Sequence, residues 1–173
     1  MSSLILTLIG PDRPGLVDSV AKVVSEQNGN WLESRMSHLA GHFAGIVRID
    51  VDSARADHLI SKLEGLEENG LSVVVRKDES VEKDEHLTLI WMELVGNDRP
   101  GIVSEVSRVL AENQVNVEEF QTECVDAPNS GSTLFRANAT LRLPLGVTIR
   151  DLQQALENIA LDLMVDIRLA CDE

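Results

Sequence analysis

Aromatic residues are scarce in this chain, with three Phe, two Trp and no Tyr among 173 residues. Nucleobase stacking calls for exposed aromatic side chains on a basic face, so an RNA-binding surface is disfavoured. Positive charge is short as well: 15 Lys and Arg stand against 29 Asp and Glu, a formal charge of -14. That balance repels the phosphates of nucleic acids and of anionic membrane surfaces, and direct contact with either is not expected. No apolar run approaches the roughly 20 residues needed to span a bilayer. The opening segment MSSLILTLIGPDRPG also lacks the basic stretch and small-residue cleavage site of a secretory signal, so the expected location is cytoplasmic. Cysteine is limited to Cys124 and Cys171, which a reducing compartment keeps as thiols. With no His or second Cys at metal-ligand spacing, neither a metal nor another cofactor is expected.

What the chain does have is a repeat. GPDRPGLV at residues 10 to 17 returns as GNDRPGIV at residues 96 to 103. The same offset carries Val20, Val23, Glu26, Asn30 and Glu33 onto Val106, Val109, Glu112, Asn116 and Glu119, which marks a duplicated domain. Between the copies lies RKDESVEKDEH, residues 76 to 86, whose charge suits a solvated linker. The expected division is therefore a first domain over 1–76, a linker over 77–86 and a second domain over 87–173. A hydrophobic fraction of 43% is enough to give each half a packed core.

Each copy reads as the same series of elements. LILTLI is an apolar strand that stops at Gly-Pro. Leu16, Val17, Val20, Val23 and Val24 then fall on one face of a helix, expected to begin near Pro14. WLESRMSHL and HFAGIVRIDV, joined at Ala40-Gly41, predict a hairpin. Leu59, Ile60, Leu63 and Leu66 line a second helix ending at Gly70, and LSVVVR closes the copy as a strand. The second copy repeats this order with a longer hairpin loop, DAPNSGS. The order βαββαβ predicts an α+β fold: two ferredoxin-like domains, each an antiparallel four-stranded sheet with both helices on one face. Open sheet edges and faces then favour pairing of the two copies, or of two chains in a homo-oligomer.

The repeated loop falls between the first strand and the first helix. Gly10 and Gly15 permit tight turns, and Pro14 suits a helix's first turn, where its missing N–H is no loss. Bare amides and the positive end of the helix dipole attract a carboxylate there. Asp12 beside them offers an acceptor for an ammonium group, so a small zwitterion fits better than a simple anion.

DRPG followed by Leu or Ile and then Val, with an Asn at the start of the next strand inside a βαββαβ unit, resembles the ACT domain, a small-molecule regulatory module. Two tandem copies without an attached catalytic domain are most similar to the glycine cleavage system transcriptional repressor family. The resemblance implies an amino-acid ligand such as glycine, held between paired domains. The loop backbone, from Asp12, Arg13, Pro14, Gly15 and Leu16 in one copy and Asp98, Arg99, Pro100, Gly101 and Ile102 in the other, would take the carboxylate. Asp12 with Asn30, or Asp98 with Asn116, would hold the ammonium group. Residue 97 is Asn where the first copy has Pro11, so the two loops are not expected to bind equally. The resemblance also implies a non-enzymatic repressor that touches a DNA-bound transcription factor by protein contact. Two alternatives carry their own signals. A trans-acting allosteric subunit of a metabolic enzyme would share every feature above. A small hydrolase of acylphosphatase type would use a loop Arg to grip phosphate, which Asp12 and Asp98 would repel. His38 and His42, at the hairpin turn, Trp31 and Trp91, within strands, and Glu118, Glu119 and Glu123 on an acidic face read as structural or solvated side chains.

Overall fold

The computed structural model describes residues 1–78, 88–127 and 131–171. These fall into two compact units that part within the segment 79–87. The expected linker thus lies almost entirely outside the described residues, as does part of the long hairpin loop.

The first unit runs β1 (Ser2–Pro11), α1 (Leu16–Glu26), β2 (Asn30–Leu39), β3 (His42–Val51), α2 (Ala56–Glu64), a 3-10 turn over Gly65–Asn69, and β4 (Ser72–Lys77). The second runs β5 (Thr88–Asn97), α3 (Ile102–Glu112), β6 (Asn116–Asp126), β7 (Thr133–Leu143), α4 (Ile149–Leu163) and β8 (Val165–Cys171). Each unit is a four-stranded antiparallel sheet, ordered β2-β3-β1-β4 and β6-β7-β5-β8. The fold is the expected α+β, ferredoxin-like βαββαβ arrangement, present twice.

Alternation along the strands decides which face is covered. Leu4, Leu6 and Leu8 of β1 are buried, and α1 lays Leu16, Val20 and Val24 over that face at i, i+4 and i+8. In α2, Leu59 and Leu63 complete the core. The second unit uses Ile90, Met92 and Leu94 of β5 against Ile102, Val106, Leu110, Leu152 and Leu156. Residues between the buried ones face the other side, so Ile9, Ile46 and Val74 in the first unit and Leu89 and Trp91 in the second are exposed. The first hairpin closes on Ala40 and Gly41, both at positive φ, as a two-residue turn between right-twisted strands requires.

Both first helices begin two residues later than expected. Gly15 and Gly101 occupy the left-handed region, with φ 89 and 98, as N-caps, a conformation that penalises a side chain. Pro14 and Pro100 therefore sit in the turn before the helix rather than in its first turn. Among the described residues, no side chain caps either helix start.

Helix α4 is capped differently. The Thr148 Oγ1 accepts from the Asp151 amide at 3.2 Å and donates to Asp151 Oδ2 at 2.6 Å, while the Thr148 amide donates to Asp151 Oδ2 at 3.0 Å. Those bonds from the Thr148 hydroxyl and amide hold the Asp151 carboxyl below its ordinary value of 3.8. Thr148→Ala is expected to lower stability by about 1 kcal/mol at neutral pH. Because the folded-state carboxyl is depressed, its contribution is present above pH 3.8 and is lost as pH falls through the folded value. Thermal melts of wild type and Thr148→Ala should therefore differ more at pH 7 than in stronger acid, where the bond from the Asp151 amide to Thr148 Oγ1 still separates them.

Candidate functional site

The repeated loop joins β1 to α1 and β5 to α3, and most of its residues serve the fold. Gly10 closes on the end of the second helical segment: a Cβ there would stand 2.5 Å from the Gly70 carbonyl oxygen. Gly96 sits the same way against Met164 and Val165, at 2.7 Å from the Met164 carbonyl oxygen. The Asp12 amide donates to the Gly41 carbonyl at 2.9 Å, and the Asp98 amide to the Thr133 carbonyl at 2.9 Å. Each loop is thereby tied to its neighbouring hairpin.

The arginines point along the same route in both units. Arg13 Nη2 donates to the Asn69 carbonyl at 2.6 Å, and Arg99 Nη1 donates to the Asp162 carbonyl at 2.9 Å. These carbonyls close the 3-10 turn and α4, where backbone acceptors lack intrahelical partners and a cation suits the dipole. In the first unit, Arg13 and Asn69 also line a cavity of about 230 Å³ together with Pro14, Gly15, Ser19, Leu66 and Leu71. That volume lies below the roughly 300 Å³ at which drug-sized pockets begin.

The helix starts keep the amides expected to hold a carboxylate. The Ser19 amide makes the first helical bond, to the Gly15 carbonyl, and the Glu105 amide its counterpart to Gly101. The amides that precede them, beginning at Leu16 and Ile102, have no acceptor within their helices. The side chains of Leu16 and Ile102 do something else: both are buried core residues, so only their backbone can face a ligand.

The aspartates are the loop residues least used by the fold. Asp98 is exposed, and its carboxylate makes no hydrogen bond or ion pair among the described residues. Asp12 Oδ2 lies 3.7 Å from His38 Nε2, both side chains being about half exposed. Strand register puts Cys124 where His38 stands, since the two pair with Phe135 and Phe43 respectively. His42 Nδ1 is 3.2 Å from the Ala40 carbonyl, and no group of side chains able to hold a metal occurs among the described residues.

Within each unit the loop aspartate and the strand-entry Asn stand far apart. Asn30 pairs with Asp50, which pairs with Ser3, whereas Asp12 follows Pro11 at the other end of β1. Eight strand residues separate the two levels, or about 26 Å at roughly 3.3 Å per residue. Asn116 stands level with Leu89, while Asp98 follows Asn97. Asp12 and Asn30 of the same unit, or Asp98 and Asn116 of the same unit, therefore cannot hold one ammonium group together. Sequence spacing hid this because α1 and α3 carry the chain back along the strand before the Asn arrives. Asn116 moreover donates to Glu118 Oε1, and Glu118 Oε2 is 2.7 Å from Arg142 Nη2.

Comparison with known proteins agrees with the fold. Two ACT-domain models match, one over residues 2–76 and one over residues 91–157. The glycine cleavage system transcriptional repressor of Escherichia coli is 23% identical over 163 residues, covering 92% of this chain and 85% of its own. A UPF0237 protein of Methanocaldococcus jannaschii is 33% identical over 82 residues, which are 46% of this chain and 91% of that one. A crystal structure of an unknown protein from Galdieria sulphuraria superposes with a TM-score of 0.89 and 28% identity over 99% of both chains. With the ferredoxin-like units, the doubled loop and both family matches in agreement, the chain belongs to the ACT-domain family and carries two such domains in tandem.

Proposed function

We propose that this chain is an amino-acid-responsive regulator, binding a small zwitterion such as glycine at the two repeated loops. The observation that carries the reading is the division of labour in the loop. Glycine, proline and arginine each have a structural partner or conformation there, while the two aspartate carboxylates stand exposed beside helix starts that no side chain caps. A carboxylate suits the helix start and an ammonium group suits the aspartate.

A ligand that also uses the strand-entry Asn must find it on another βαββαβ unit. When two edge strands pair antiparallel, the start of one strand lies beside the end of the other. Pairing with a second molecule in this way would bring its Asn30 to the Asp12 loop, or its Asn116 to the Asp98 loop. Occupancy would then alter how molecules pair. Glycine has five heavy atoms, so the ceiling of roughly 1.5 kcal/mol per atom allows about 7.5 kcal/mol. This corresponds to affinity no tighter than micromolar. Moving a pairing equilibrium from 1:99 to 99:1 takes about 5.5 kcal/mol of differential affinity, a demand that two sites meet more readily than one.

The downstream partner follows from charge and kinship. A formal charge of -14 disfavours direct DNA contact, and the E. coli relative is named a transcriptional repressor. Repression of glycine cleavage genes through protein contact with a DNA-bound regulator accommodates both. Calorimetric titration of the full chain with the common amino acids tests the sensing half. The expected result is saturable binding of glycine or a similarly small amino acid, and no heat with any of them would refute it. Affinity capture from the native cell tests the partner half, where recovery of a metabolic enzyme in place of a transcription factor would replace it.

A further inference from the structure

We infer that Arg13 and Arg99 are positioning residues, which carry loop occupancy to the end of the second helical segment without touching the ligand. The inference rests on the sensing role proposed above and names the route out of that site. Both guanidinium groups donate to a backbone carbonyl far along the chain, 56 residues away for Arg13 and 63 for Arg99. The loop and the helix end are also in close backbone approach at Gly10 against Gly70, and at Gly96 against Met164. A loop clamped at both points cannot shift by itself. If a carboxylate tightens the amides after Gly15, the strain passes through the neighbouring Arg13 to Asn69, and through the chain to Gly70 and Leu71.

Those receiving residues make the coupling visible. The Gly70 amide donates to the Glu67 carbonyl at 2.8 Å and the Leu71 amide to the Leu66 carbonyl at 3.2 Å. In the second unit the Met164 amide donates to the Leu161 carbonyl at 3.2 Å. Each is a reporter whose exchange with solvent measures local opening.

Amide hydrogen exchange on the full chain, with and without glycine, tests the route in two arms. Without ligand, Arg13→Ala should speed exchange at Gly70 and Leu71 roughly tenfold while leaving Met164 unchanged, and Arg99→Ala should do the reverse. This arm does not depend on glycine binding, and the untouched unit serves as the folding control. With glycine at saturation, wild type should slow exchange both in the loop and at the helix end. Arg13→Ala should keep the slowing at Leu16 to Asp18 and lose it at Gly70 and Leu71, with Arg13→Lys restoring part of it. Equal slowing at both places in Arg13→Ala would overturn the inference. Loss of slowing in the loop as well would overturn it too, by making Arg13 a ligand contact. Failure of glycine to slow any loop amide in wild type would instead refute the sensing role, even with the ligand-free arm as expected.

Discussion

Gly96→Ala is expected to melt the second unit more than 10 °C earlier while leaving the first unit in place. A Cβ at Gly96 would stand 2.5 Å from Val165 Cγ1, 2.7 Å from the Met164 carbonyl oxygen and 2.9 Å from Val165 Cα. Two of those atoms are backbone, and both belong to the turn where α4 passes into β8. Met164 is held there at φ 53, so the turn has little freedom to yield. Overpacking of this kind costs about 1–3 kcal/mol. A backbone obstacle puts Gly96→Ala near the upper end. For a domain of this size, 1 kcal/mol shifts Tm by roughly 4–8 °C. Each unit holds one tryptophan, Trp31 in the first and Trp91 in the second. Trp91 fluorescence in a Trp31→Phe background therefore reports the second unit alone. Gly65→Ala in the first unit, followed by Trp31 fluorescence in a Trp91→Phe background, supplies the contrast, because a Cβ there meets nothing within 4 Å and its φ of -62 is ordinary helix. A shift below about 2 °C for Gly96→Ala would mean that the close approach is not a constraint.

The architecture was legible because the chain states it twice. A strand written LILTLI and a helix written with apolar residues at i, i+4 and i+8 are readable once, but the second copy excludes coincidence. The hairpin at Ala40-Gly41 was equally plain from the strand signals on either side. The helix starts were misplaced because Pro is common in a helix's first turn. Here the left-handed Gly15 and Gly101 stand between the proline and the helix, and nothing local announces which residue turns. The site was less readable than the fold. The partners of Arg13 and Arg99 lie across the domain on carbonyls that have no residue-type signal at all. The separation of Asp12 from Asn30 follows from register: only the pairing of β2 with β3 and of β3 with β1 shows that the two residues stand at opposite ends of the sheet.

Replacing both loop aspartates, as Asp12→Ala with Asp98→Ala, is expected to remove about half or more of the thermal stabilisation expected from glycine. At a concentration one hundred times Kd, a ligand that binds only the folded state adds about 2.7 kcal/mol, which is of order 10 °C for one of these units. A hydrogen bond to a charged group contributes roughly 1.5–3 kcal/mol, so losing the carboxylate should weaken each site about ten- to hundredfold. The same glycine concentration then sits at about one to ten times the new Kd, and the stabilisation falls to about 0.4–1.4 kcal/mol. The single variants should not be equal. Asp12 has the His38 ring 3.7 Å away, whereas Asp98 makes no ion pair among the described residues, and the position matching His38 is Cys124. The Asp98 carboxylate thus has less beside it to compete with an ammonium group, and Asp98→Ala should remove the larger part of the shift. Asp98→Asn should fall between, since it keeps an acceptor and loses the charge. A double variant that still gains the wild-type shift in glycine would place the zwitterion elsewhere, and the loop would then be explained by its structural duties alone.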